Sequence, residues 1–228
     1  MAILAFTSGL VVFNWGFYVW SIAEGRTLEA SLGYFINPLL NVVMGYLFLS
    51  ERFTKPQMVA LGLAVLAVAI QTISAGVFPW LGLMLAATFC IYGFLRKTID
   101  VGPTQGFFIE VAILALPMLG VQAWLASWGE AHFGATSYDT LMLMGCGVLT
   151  AAALMLFAAS IKRIRYSTAG LLQYLSPSLV FLTAVFIFGE RLDVWKLISF
   201  AIIWLALAIY SFSALRDERN RRLEAEPV

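Results

Sequence analysis

The strongest constraint on this chain is a set of eight apolar stretches, each close to the length of a membrane span and bounded by charges, Pro or Gly. They fall at about 2–22, 31–50, 56–75, 77–95, 104–127, 139–160, 169–189 and 194–214. A hydrocarbon core about 30 Å thick needs roughly 20 apolar residues as a helix. Lipid offers no partner to backbone N–H and C=O groups, so such stretches must satisfy them internally. The connections are too short to hold a soluble domain. Composition agrees: 61% of the 228 residues are hydrophobic and 12% charged, where a soluble domain has about half and a quarter. The expected fold class is an all-α polytopic membrane protein.

Several functions are excluded at this stage. A formal net charge of +1 does not suit a nucleic-acid binder, and the two cysteines lie inside apolar stretches rather than in a disulfide framework. No cluster of His, Cys, Asp or Glu has metal-ligand spacing, so neither metal nor other cofactor is expected. The first stretch does not read as a cleaved signal peptide. It has no basic residue before it, it is too long, and Asn14 and Trp15 lie in its middle.

Basic residues orient the spans. One side collects Arg52, Lys55, Arg96, Lys97, Lys162, Arg163, Arg165, Arg216, Arg219, Arg221 and Arg222; the other has Arg26, Arg191 and Lys196. The richer side is expected to be cytoplasmic, with the C-terminus there. The basic tail after Leu215 is expected to contact anionic lipid headgroups.

The chain also resembles itself. Pro38 and Pro177 lie 139 residues apart, as do Glu51-Arg52 and Glu190-Arg191, Arg26 and Arg165, and Ser21-Ile22 and Ser160-Ile161. Sliding 21–70 onto 160–209 needs no gap and leaves 13 identities in 50. This pairs the first three spans with the last three, leaving the fourth and fifth unmatched. One repeat unit is then five spans, and an odd number inverts the second copy relative to the first. The expected parent is a ten-span carrier of five plus five whose first two spans are absent here. Residues 1–75 form a partial first repeat, 76–215 a complete second one, and 216–228 a basic tail.

Polar residues inside the spans mark inward faces. Ser31, Tyr34, Asn41 and Gly45 follow helical spacing with Asn37 beside them, and Thr7, Asn14, Tyr18 and Ser21 repeat the pattern. The seventh span offers Gln173, Tyr174, Ser176 and Ser178. Such groups avoid lipid, so they line either a substrate cavity or a helix–helix contact; interhelical hydrogen bonds in membranes contribute about 0.6 to 2 kcal/mol. The substrate-binding candidates are Asn14, Trp15, Tyr18, Tyr34, Asn37, Asn41, Tyr92, Gln173, Tyr174 and Ser176. Pro38 and Pro177 each remove a helix hydrogen bond to the carbonyl four residues back, on Tyr34 and Gln173, and are candidate hinges. Glu110 lies well inside the fifth span, so it is expected to face the interior, paired or protonated. It is the candidate for proton coupling, with a structural hydrogen bond as the alternative. Glu51, Arg52, Glu190 and Arg191 read as helix-end ion pairs. Ala60, Ala64 and Ala67 allow close approach of a neighbouring helix.

The run Leu28 to Leu39, LEASLGYFINPL, resembles the RarD-type branch of the EamA drug/metabolite transporter superfamily. So do Asn14-Trp15, Glu51-Arg52-Phe53, Arg96-Lys97, IEVAILALP around Glu110, and Gln173-Tyr174 with Pro177. The resemblance covers essentially the whole chain. It implies a ten-span carrier of five plus five, with both termini cytoplasmic, in a bacterial cytoplasmic (inner) membrane. RarD-type members are described as chloramphenicol-resistance permeases, which leaves the natural substrate open. The expected function is secondary transport, as export, of a small organic metabolite or amphipathic drug by alternating access, with protons as a candidate coupling ion. Two rivals stand beside it: a non-transporting fragment or subunit that needs the missing spans, and a membrane-embedded enzyme.

Overall fold

Nine helices form among the described residues, in the order α1 (Ala2–Ala23), α2 (Thr27–Phe48), α3 (Lys55–Ala75), α4 (Trp80–Thr98), α5 (Pro103–Ser127), α6 (Ser137–Arg163), α7 (Tyr166–Leu172), α8 (Leu175–Phe186) and α9 (Val194–Ala225). The computed structural model describes residues 1–76, 78–187 and 194–225, together with their side chains except at 28, 180, 184, 185 and 217–225. Glu190 and Arg191 therefore lie outside the described residues. No strand occurs among those described.

Six helices are long and apolar enough to cross a membrane by themselves: α1, α2 from Glu29, α3, α5, α6, and α9 as far as Arg216. Two of the eight expected spans fall outside this set. The α4 helix has only 19 residues and carries Arg96 and Lys97 in its last turn, which lowers its mean hydropathy. The stretch expected as one span at 169–189 is instead α7 and α8, separated by a turn at Gln173 and Tyr174. Pro177 supplies the reason. It has no N–H to give the Gln173 carbonyl, and that carbonyl accepts from Ser176 N at 3.1 Å in a tighter turn. At Pro38 the helix α2 runs on unbroken. A further difference is that α9 continues to Ala225 into the expected tail. That segment is rich in Arg, Glu, Leu and Ala, good helix formers with no stop signal among them.

Helix starts recur at one offset. Thr27 opens α2 and Tyr166 opens α7; Lys55 opens α3 and Val194 opens α9; both pairs are 139 residues apart, the offset of the sequence identities.

The chain forms two compact units. One comprises Met1–Trp15 and Ile91–Ile164; the other comprises Gly16–Cys90 and Arg165–Val228. In the first, α5 packs along α6, and both helices leave most of their apolar surface exposed. That is the surface a bilayer covers.

In the second unit α3 packs along α9 and α2 along α7. Ala60, Ala64 and Ala67 are fully buried in a cluster with Phe200, Ile203, Ala206 and Tyr210. Small residues on α3 let the helices approach until aromatic side chains of α9 fill the seam, which is how association gains packing energy in lipid. Two crossings are closer still. A Cβ on Gly170 would lie 2.7 Å from Asn41 Cβ and 2.9 Å from the Pro38 carbonyl. Where α2 crosses α4, a Cβ on Gly82 would lie 2.8 Å from the backbone nitrogen of Gly33. Only glycine fits there.

Candidate functional site

Three amides meet in the second unit, two from α2 and one from the turn between α7 and α8. Asn37 Nδ2 donates to Gln173 Oε1 at 2.5 Å, and Asn41 Nδ2 donates to the same oxygen at 3.0 Å. Asn37 and Asn41 are one helical turn apart, so both reach a single acceptor. The turn at Gln173 frees that side chain from a continuous helix and points its amide at α2. Close approach depends on Gly170, which lets α7 rest on Asn41 and Pro38.

The cluster is not self-sufficient. Asn37 Oδ1 and Asn41 Oδ1 are buried and have no hydrogen-bond partner among the described residues. Buried acceptors left without a donor cost roughly 1–3 kcal/mol each, so the pair is chemically equipped to receive donor groups such as N–H or O–H. Both prolines are buried beside it. The Tyr174 hydroxyl, itself fully buried, donates to the Phe35 carbonyl at 2.9 Å. Ser178 Oγ donates to the Tyr174 carbonyl at 2.7 Å and accepts from Trp204 Nε1 at 3.0 Å, so the first turn of α8 is held to α9.

Other candidates fall elsewhere. Tyr18 and Tyr34 stack edge to face with ring centroids 6.0 Å apart, and Tyr34 stays half-exposed. Asn14 is half-buried and Trp15 exposed on α1. Ser176, expected on an inward face, is exposed on α8. The turn at 173–174 changes the helical phase between Gln173 and Ser176.

The first unit holds a charged cluster. Glu110 is buried on α5, where Thr7 Oγ1 donates to its Oε1 at 2.6 Å and the Tyr92 hydroxyl to its Oε2 at 3.5 Å. Arg96 Nε stands 3.7 Å from Glu110 Oε1, and Arg96 Nη2 donates to the Pro103 carbonyl at 2.8 Å. The guanidinium is completely buried, with Nε and Nη1 lacking hydrogen-bond partners among the described residues. It lies against Gly106, where a Cβ would come within 1.7 Å of Nη1.

Glu110 is thus paired, as expected of a carboxylate in a span. Its partner is a correction, because Arg96 reads in sequence as a loop charge on the basic side. The spacing carried the signal. Tyr92 and Arg96 are four apart, as are Gly106 and Glu110, and the short 99–102 connection lays these two faces together.

Glu51 also departs from its expected pairing. Its carboxylate accepts from Tyr166 N at 2.5 Å, Ser167 N at 3.0 Å and Ser167 Oγ at 2.5 Å, and Arg165 Nε lies 3.9 Å away. The ion pair therefore joins Glu51 to Arg165, not to Arg52. Residues 51 and 52 follow each other in a non-helical segment, where adjacent side chains point to opposite sides. Arg165 also donates to the Arg52 carbonyl and covers the Phe53 ring at 5.6 Å.

Comparison with known proteins places these features in context. The model of the EamA-like transporter family matches residues 1–73 and 78–212. An uncharacterised transporter of Pseudomonas aeruginosa is 43% identical over 222 residues, covering 96% of this chain and 74% of that protein. The protein RarD of Escherichia coli is 39% identical over 219 residues, covering 95% and 74%. The protein RarD of Streptomyces exfoliatus is 37% identical over 227 residues, covering 99% and 72%.

Proposed function

Since the chain belongs to the EamA-like transporter family, we propose that it is a RarD-type secondary carrier that exports a small organic solute across the cytoplasmic membrane by alternating access. The observation that carries this reading is the buried amide cluster of Asn37, Asn41 and Gln173, with two unmatched acceptor oxygens. Amides and phenols recognise neutral or zwitterionic solutes with N–H or O–H groups better than bare metal ions, whose hydration they would have to replace in full. An amphipathic, chloramphenicol-like molecule fits that chemistry as well as a metabolite does.

The inverted repeat supplies the motion. The coincidence of helix starts 139 residues apart supports two copies of one unit, eight spans of a five-plus-five plan with both ends cytoplasmic. Exchanging the conformations of two inverted copies turns an inward-open carrier into an outward-open one. Pro38 and Pro177 are the paired hinges in this reading, one in an intact helix and one at a break, so the two copies occupy different conformations. Glu110 is the proton-responsive candidate.

The test is uptake of labelled amino acids, sugars and chloramphenicol into proteoliposomes holding the purified protein, with and without a proton gradient. Saturable, gradient-dependent transport of one class is the expected result. Asn41→Leu should then raise KM by about three- to tenfold, the loss of one hydrogen bond, with insertion unchanged. An unchanged KM would remove the amide cluster from substrate recognition.

A further inference from the structure

A cleft of about 460 Å³ opens where the start of α3 meets the apolar part of α9, lined by Thr54, Pro56, Ala208, Ile209, Phe212, Ser213 and Arg216. Both helices are long and apolar enough to cross a membrane; α3 begins at Lys55, and the apolar sequence of α9 gives way to charged residues from Arg216 on. The cleft therefore lies at the depth where hydrocarbon gives way to headgroups. Its chemistry changes at the same level. Pro56, Ile209 and Phe212 are apolar walls, and Phe212 is largely exposed. Beside them, the Thr54 and Ser213 hydroxyls stand 2.9 Å apart and hydrogen-bonded, and one proton of the pair is not used in that bond.

The charge balance leans basic. Arg216 is exposed, and the segment it opens, 216–222, carries Arg216, Arg219, Arg221 and Arg222 against Asp217 and Glu218. Arg52 and Lys55 flank Thr54 in sequence, and both are exposed. Glu51, the acid beside Arg52, is spent on the α7 backbone and on Arg165.

We propose that this cleft binds an anionic phospholipid. The phosphate is held by Arg216 with a hydroxyl of the Thr54–Ser213 pair, and the upper acyl chain lies along Ile209 and Phe212. A free phosphate ion would use the cation and hydroxyl but gain nothing from the walls. A zwitterionic lipid would use the walls but bring its own cation against Arg216. Only the anionic lipid uses both parts.

Native mass spectrometry of the full chain in detergent tests it, with phosphatidylglycerol and phosphatidylcholine of identical acyl chains as probes and inorganic phosphate as competitor. Phosphatidylglycerol is expected to bind at least about fivefold more tightly, the effect of one basic residue near an anionic headgroup. Arg216→Gln should remove that preference, and Ala208→Trp should weaken binding with every charge retained. Arg222→Gln, a neutralisation further along the same tail, should change little. Equal losses from the two arginine variants would mean diffuse attraction to the tail and overturn the site. So would equal affinity for the two lipids, or full displacement of phosphatidylglycerol by inorganic phosphate.

Discussion

Tyr174 donates its hydroxyl to the carbonyl of Phe35, and the two residues stand 139 positions apart, the offset at which the start of α2 recurs as the start of α7. In the proposed inverted repeat, the contact would join corresponding points of the two copies, as contacts near a two-fold axis do. It also lies one residue from the Tyr34 carbonyl, which Pro38 deprives of its helix donor. Tyr174→Phe should lower stability in detergent by about 1 kcal/mol, within the range for interhelical bonds. Tyr174→Ala should cost about 3 to 5 kcal/mol by opening a cavity. Equilibrium unfolding of the two variants separates the bond from the packing.

Gly106→Ala sets two effects against each other. Alanine favours a helix over glycine by about 1 kcal/mol. Its methyl, however, would occupy the place of Arg96 Nη1, and disrupting a buried ion pair costs about 3–5 kcal/mol. Net destabilisation of about 2 to 4 kcal/mol is expected by thermal unfolding. The pair Arg96→Met with Glu110→Leu should be more stable than Glu110→Leu alone, because the single change strands a buried cation. A double variant no better than the single one would show that the pair is not coupled.

Glu110→Gln keeps the shape of the side chain and an oxygen for Thr7 to donate to, but cannot take or release a proton. If the carboxylate couples protons, this variant should still exchange substrate across proteoliposomes. It should no longer concentrate substrate under a proton gradient, and its pH dependence should flatten. Unchanged accumulation against the gradient would leave Glu110 as the structural partner of Arg96.

Glu51→Gln should be mild and Glu51→Ala more severe. Glutamine retains an acceptor for the Tyr166 and Ser167 N–H groups, whereas alanine leaves the α7 start uncapped, a loss of about 1 to 2 kcal/mol. Proteolysis of the 164–175 region in detergent should accelerate in that order.

Orientation is checked with reporter fusions. One after Leu215 and one in the 99–102 connection should read cytoplasmic, and one within 129–136 external, following the eleven-to-three bias in basic residues. A C-terminus on the far side would overturn both the orientation and the inverted repeat.

Helix existence and most boundaries were legible because span length and apolarity are dictated by the bilayer. The recurrence of Pro and Glu-Arg at one offset foretold helix starts that agree at the same spacing. Asn37, Asn41 and Gln173 were legible as inward-facing amides, since such groups are expensive in lipid. What escaped was relational. Ser176 is exposed beyond a break that changes helical phase, which sequence spacing alone does not show. Arg96 was misjudged because a charge near a span end reads as a loop residue until a partner draws it in. Arg165, rather than Arg52, reaches Glu51 because adjacency in an extended segment separates side chains.

The crossing of α2 and α4 at Gly33 and Gly82 limits how this protein can change over generations. Elsewhere in a packed interior, a larger residue on one helix is offset by a smaller one opposite, and such swaps allow sequences to drift. Here neither side has an atom to give up, because each would-be Cβ meets backbone. A first substitution at either position has no compensating second one across the contact. Drift at this crossing is closed in single steps, and any lineage that loses one glycine must re-space the two helices.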